Sequence, residues 1–272
     1  MPSPDHHRVI QLIREAASED IMPLWRNLQD HQVEEKRRHD VVTEADHACE
    51  ERLSRELAAL LPGSLVVGEE AVHADPGVLA ALDSVRPVWV IDPLDGTNNF
   101  AAGFGPFAVM VCLVQQGSTL AAWIYDPLAD SMLAADSGAG AYLDGERLEL
   151  QAFDGDVCDI NGALSTRYLA EHLKPDAERG AAQLGITRAS GCAGYDYRAL
   201  ATGVYQFAFY YRTLIWDHAP GVLICTEAGA RAGRFDGRPY RPNSGDVGLL
   251  TAADTQTWRT ARDLLVPSAG AA

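Results

Sequence analysis

Apolar positions recur every three or four residues from Val9 to Leu28, through Ile10, Ile13, Ala16, Ala17, Met22 and Trp25, which predicts a helix with one buried face, kinked at Pro23. A second helix is predicted to begin near Thr43. There Thr43-Glu44-Ala45-Asp46 sets an acid three residues after a capping hydroxyl, Leu53, Leu57 and Leu60 follow at helical spacing, and Leu61-Pro62-Gly63 stops the run. Two short β-branched stretches, Leu65–Val67 and Val88–Ile91, each end in acidic residues and read as buried strands. Between Phe107 and Leu150 apolar runs alternate with turn signals at Gln116-Gly117-Ser118, Asp126-Pro127, Ser137-Gly138 and Asp144-Gly145, the pattern of an antiparallel meander.

The polar stretch Gln151–Asp156 is the best boundary, dividing an N-terminal half (residues 1–150) from a C-terminal half (residues 151–272). Beyond it, strands are predicted near Val157–Ile160, Ile186–Ala189 and Val204–Tyr210. Helical segments near Thr166–Leu173, Asp176–Leu184 and Tyr195–Ala201 alternate with them, so this half reads as a mixed sheet with helices packed on it. The fold class is α+β.

Charge narrows the function. With 22 Lys and Arg against 38 Asp and Glu, the chain carries −16, which repels a nucleic-acid backbone or an anionic membrane and requires bound cations for any phosphate substrate. The charged N-terminus lacks the apolar core of an export signal, and no apolar run approaches the roughly 18 residues of a membrane span. Five cysteines without a CxxC pair favour a reducing, cytoplasmic setting.

Candidate chemistry concentrates in four segments. In Trp89-Val90-Ile91-Asp92-Pro93-Leu94-Asp95-Gly96-Thr97-Asn98-Asn99-Phe100 an apolar strand ends in two carboxylates, and Gly96 permits a tight entry into a helix whose first amides face the same point. That arrangement suits a hard cation and a phosphate together. Gly68-Glu69-Glu70 closes the other short strand, so its acids lie beside Asp92 if the strands are neighbours. Asp46 is expected in the first turn of its helix, Asp217 at the cap of a buried helix with Pro220 in its first turn, and Lys36-Arg37-Arg38 on a solvated face.

Taken in order, DVVTEAD, GEE, WVIDPLDGTNNF and WDHAPGVLICTEAGA closely resemble the inositol monophosphatase family of lithium-sensitive, magnesium-dependent phosphatases, over Lys36 to Gly229. The resemblance implies a layered αβαβα sandwich that hydrolyses a small phosphate monoester. It implies two to three Mg²⁺ ions per site, with Mn²⁺ as an alternative: Glu69, Asp92 and the Leu94 carbonyl would bind the first, and Asp92, Asp95 and Asp217 the second. Asp46 and Thr97 would orient and deprotonate water with help from Glu70. The amides of Gly96 and Thr97 would hold the phosphate, and Gly191, Cys192 and Ala193 would contact substrate. The implied partners are a small phosphorylated metabolite and a second copy in a homodimer.

Three positions depart from the family pattern. Ala71 stands where a hydroxyl residue is common, Tyr210 stands where a Glu usually binds substrate hydroxyls, and Cys192 sits in the substrate loop with no nearby base in sequence to activate it. Histidinol phosphate, fructose 1,6-bisphosphate and 3′-phosphoadenosine 5′-phosphate remain alternative substrates, with Arg188, Arg198 and Arg212 as candidates for a second phosphate. A non-catalytic metal-binding scaffold is the alternative from another class.

Overall fold

The computed structural model describes residues 4–37 and 40–267. In chain order the elements are α1 (His6–Ala16), β1 (Val33–Arg37), β2 (Asp40–Thr43), α2 (Glu44–Leu60), β3 (Leu65–Gly68), α3 (Glu69–Ala74), β4 (Val88–Asp95), α4 (Thr97–Ala101) and β5 (Ala108–Gln115). There follow β6 (Ser118–Asp126), β7 (Ser131–Asp136), β8 (Gly140–Leu143), β9 (Glu146–Leu148), β10 (Gly162–Leu164), α5 (Lys174–Ala181), α6 (Ala193–Ala201), β11 (Phe207–Tyr210), α7 (Ile215–Glu227), β12 (Arg231–Gly233), β13 (Leu249–Ala252) and α8 (Thr255–Leu265).

Five layers result. Strands β3 to β9 form one sheet in chain order, and β10-β11-β13-β12 form a second. The first sheet is apolar on both faces, so its strands read as unbroken runs. Trp89, Ile91, Val109, Val111 and Trp123 meet Val9, Ile13, Leu53 and Leu57 of α1 and α2. Val90, Met110, Cys112 and Ile124 on the opposite face meet Tyr197, Leu200, Ala219 and Leu223 of α6 and α7, which also touch Ala208 of the second sheet. The outer face of that sheet, with Phe207, Phe209 and Leu250, is covered by Trp258, Ala261 and Leu265 of α8 and Ala177 of α5. The order is α, β, α, β, α, the expected sandwich. No described helix is long and apolar enough to cross a membrane.

Register explains how the site is assembled. β3 and β4 are parallel, with Gly68 opposite Ile91, so Glu69 and Asp92 leave neighbouring strand ends together. β4 then runs antiparallel to β5 with an irregularity between Asp92 and Asp95.

Several predicted elements differ. The Val9–Leu28 helix ends at Ala16, because Pro23 has no amide for the next turn; the chain first widens so that Met22 N–H reaches Ala17 O five residues back, then tightens over Met22–Leu24. Val157–Asp159 is a tight turn in place of a strand. Asp156 and Asp159 cap each other's amides there, and Val157 faces solvent. Near Ile186 a single bridge, Thr187 to Gly162, replaces the expected strand, and Thr166–Leu173 holds one short turn at Glu171–Leu173 in place of a helix. Finally, α7 begins two residues before Asp217 because Ile215 and Trp216 bury as its first residues; Asp217 is therefore third in the helix and Pro220 lies in its interior.

Candidate active site

One pocket of about 220 Å³ gathers the carboxylates at the end of β4 with residues from the C-terminal half. Glu69, Asp92 and Asp217 each offer an oxygen, and these oxygens lie within 4.8 Å of one another. Glu69 opens α3, Asp92 is buried in β4, and Asp217 sits in the first turn of α7, where the helix dipole favours a carboxylate. Burial, followed by the neighbouring charges of Glu69 and Asp95, drives Asp92 well above its ordinary carboxylate range. Burial also raises Glu69, against the pull of Lys36 and with a push from Asp217. Carboxylates packed this closely need a positive counter-charge, and an all-oxygen donor set fits a hard divalent cation.

Asp95 stands outside this trio. Its Oδ2 accepts from the Gly194 amide at 2.6 Å and faces the Cys192 thiol at 3.1 Å, which ties it to the start of α6. The structure therefore engages one oxygen of this expected cation ligand elsewhere. Burial, then the Asp95 charge, pushes the Cys192 thiol upward, so it stays protonated as a packing group.

Beside the trio, Thr97 Oγ1 lies 3.1 Å from Asp46 Oδ1 and 2.8 Å from the Leu94 carbonyl, two acceptors for one hydroxyl proton. Asp46 Oδ2 accepts from Thr43 N–H at 2.8 Å and Thr43 Oγ1 at 2.6 Å, which fixes its orientation. Burial pushes Asp46 up to about 7 in spite of the Thr43 bonds. Gly96 joins β4 to α4 at φ +89°, and a Cβ there would meet Pro106 O at 2.9 Å; the sharp entry to Thr97 requires glycine. Gly96, Thr97, Gly191, Cys192, Ala193 and Tyr210 all line the pocket, whereas Asp46 and Glu70 are not among its lining residues.

Tyr210 is buried, and its hydroxyl donates to Asp196 Oδ2 at 2.8 Å. Lys36 overturns the expected solvated face: its side chain is 5% exposed, with Nζ 3.2 Å from Glu69 Oε1 and 2.5 Å from Glu70 Oε1. The opposing acids, not the local basic run, decide its position. Arg38 lies outside the described residues.

Two further residues escaped sequence reasoning. Glu50 accepts from the amides of Glu70 and Ala71, both at 2.8 Å, so a buried carboxylate caps α3 and sets the path of Glu69 and Glu70. The signal was present as a second acid four residues after Asp46 on an otherwise apolar helix face. Asn99 donates to Pro106 O at 2.8 Å and Ser190 O at 3.1 Å, lacing α4 to the loop that carries Gly191.

A family model described as the inositol monophosphatase family matches residues 5–267. The chain belongs to the inositol monophosphatase family. Inositol-1-monophosphatase SuhB of Mycobacterium tuberculosis is 32% identical over 220 residues, covering 79% of this chain and 73% of that protein. The Nus factor SuhB of Vibrio cholerae is 30% identical over 228 residues, covering 81% and 82%. The crystal structure of inositol monophosphatase-II from Staphylococcus aureus superposes with a TM-score of 0.82 at 25% identity, covering 98% of this chain and 95% of that one. As an inositol monophosphatase family member the chain is a phosphatase acting on small phosphate monoesters. The family is metal-dependent, and the Glu69, Asp92 and Asp217 trio provides ligands for a metal.

Proposed function

We propose that this phosphatase uses Mg²⁺ to hydrolyse the phosphate monoester of a small polyol or sugar, with water as nucleophile and no covalent phosphoenzyme. The observation that carries this reading is the trio of carboxylate oxygens within 4.8 Å beside the Thr97–Asp46 pair. Glu69, Asp92 and Asp217 would hold the cations, with Asp95 supplying its remaining oxygen and Leu94 its carbonyl. Bound divalent cations supply charge that acidifies a water and stabilises the departing alkoxide. Thr97, donating its proton to Asp46, turns a lone pair toward the pocket and accepts a proton from the attacking water. Thr43 keeps Asp46 aimed at Thr97, and Glu70 assists from α3. The amides of Gly96 and Thr97 face the phosphate.

In this reading residues 1–150 carry most of the cation ligands, and residues 151–272 supply Asp217 and the specificity residues Gly191, Cys192, Ala193 and Tyr210. The protein works in the cytoplasm as a homodimer; five unpaired cysteines fit a reducing compartment. Lithium, replacing one Mg²⁺, inhibits it. Two staphylococcal crystal structures of the same fold hold 2′AMP and inositol monophosphate, so both compounds belong in a substrate panel with histidinol phosphate and fructose 1,6-bisphosphate.

The test is phosphate release with and without Mg²⁺. Asp92→Asn and Thr97→Ala are each expected to lower kcat by about 10²- to 10⁴-fold, and Asp92→Asn also weakens Mg²⁺ binding. Near-normal turnover in either variant overturns the assigned role.

A further inference from the structure

The pocket's lining holds cations as well as acids. Besides the trio it is lined by Ser165, Arg167, Tyr168 and Arg212. Arg212 is half-buried, and its Cζ lies 3.9 Å from the centroid of the Tyr168 ring. At that separation the guanidinium is in cation–π contact with the tyrosine ring, which limits where it can swing. No carboxylate among the described residues pairs with it, although the chain carries 38 acids. Arg198 is held by Asp126 at 3.2 Å and does not line the pocket, whose described cationic lining is Arg167 and Arg212, both against the Tyr168 ring.

The segment around Arg212 is held firmly. Its carbonyl accepts from His218 Nε2 at 3.1 Å, and His218 Nδ1 faces the Tyr197 hydroxyl at 3.0 Å. The neighbouring Tyr211 carbonyl accepts from Gly248 N–H at 2.8 Å, and Thr213 Oγ1 donates to Asp246 O at 2.7 Å. Arg212 thus follows a pinned strand end, and His218, next to Asp217, couples it to the cation ligands. Tyr210 spends its hydroxyl on Asp196 and presents no carboxylate to a sugar hydroxyl. Asn98, Ser165 and Asp196 in the lining can meet hydroxyls, and the Arg212 guanidinium adds a donor group suited to an oxyanion. Because Arg212 covers one face of Tyr168, a stacked base fits less well than a carboxylate or phosphate.

Resting on the proposed phosphatase reading, we infer that the preferred substrate carries a second oxyanion besides the phosphate that is cleaved, held by the Arg212 guanidinium on Tyr168. The reaction leaves this second group intact and needs no additional reactant.

Matched pairs test it in the intact Mg²⁺-loaded protein. For a carboxylate, 3-phosphoglycerate is compared with glycerol 1-phosphate, and 6-phosphogluconate with sorbitol 6-phosphate; for a phosphate, fructose 1,6-bisphosphate is compared with fructose 1-phosphate. In at least one pair kcat/KM is expected to favour the doubly anionic member by about 10- to 100-fold, the range of a charge-assisted hydrogen bond. Arg212→Met should collapse that ratio toward one, and Arg212→Lys should restore part of it. The wild-type ratios decide the matter even if a variant folds poorly. Equal kcat/KM within every pair, or a preference unchanged in Arg212→Met, overturns this inference and leaves the phosphatase reading standing. Absence of Mg²⁺-dependent release from every compound overturns both.

Discussion

At the scale of single residues, the Tyr210–Asp196 pair is open to a clean test. Burial raises Asp196 to about 7, with hydrogen bonds from Ser190 and Tyr210 holding it down from a higher value. A carboxyl with a raised folded-state pKa binds its proton more tightly in the native protein than in the unfolded chain. Its contribution to stability is therefore full below the unfolded value of about 4 and is lost as pH rises through about 7. Tyr210→Phe removes a donor from the buried carboxylate and is expected to cost about 1–3 kcal/mol. The loss should be larger at pH 8 than at pH 5, as read by denaturant midpoints at the two values; an equal loss at both would show that Asp196 does not depend on Tyr210. Gly68 is equally constrained, because a Cβ there would fall on the Glu50 carboxylate. Gly68→Ala should therefore lower Mg²⁺ affinity along with stability.

Among the elements, α2 and α3 are coupled through Glu50. Glu50→Ala leaves two amides at the start of α3 without an acceptor and lets Glu69 and Glu70 drift. Mg²⁺ affinity is expected to fall by about 10- to 100-fold, with Glu50→Gln intermediate because an amide offers one acceptor. Titration calorimetry would show this, and unchanged affinity in Glu50→Ala would reduce the residue to packing. How legible each element was follows from its length and partners. β4 and β5 announce themselves because both faces are buried, and α2 because Thr43 and Asp46 cap it locally. The C-terminal strands have three or four residues each, too short for a period to emerge: the expected Val157–Ile160 strand falls a few residues ahead of β10, the expected Ile186–Ala189 strand is a single bridge, and β12 and β13 are not foreseen at all. The same holds for the site. The acids of Asp-Pro-Leu-Asp-Gly-Thr are local, whereas Lys36 on Glu70, Cys192 and Gly194 on Asp95, and Asn99 on Ser190 join residues 34 to 99 positions apart, and no local pattern encodes those contacts.

For the whole molecule, the proposed cation site would also tie distant parts of the chain together, since Glu69 and Asp92 lie well before Asp217 in sequence. Mg²⁺ at 100 times its dissociation constant should stabilise the fold by about 2.7 kcal/mol, raising Tm by about 5–10 °C, and a chelator should reverse the shift. A Tm indifferent to Mg²⁺ would mean that the trio is not a cation site in the folded chain. The helix that delivers Asp217 is anchored at its other end as well. Glu227, the last residue of α7, accepts from Gly138 N–H at 2.7 Å and Gly140 N–H at 2.9 Å in the β7–β8 turn. Ten residues of helix place that turn about 15 Å from Asp217. A genetic screen for inactive alleles would therefore return lesions at Glu227, remote from any chemistry, and their purified products would show weakened Mg²⁺ binding ahead of any loss of secondary structure.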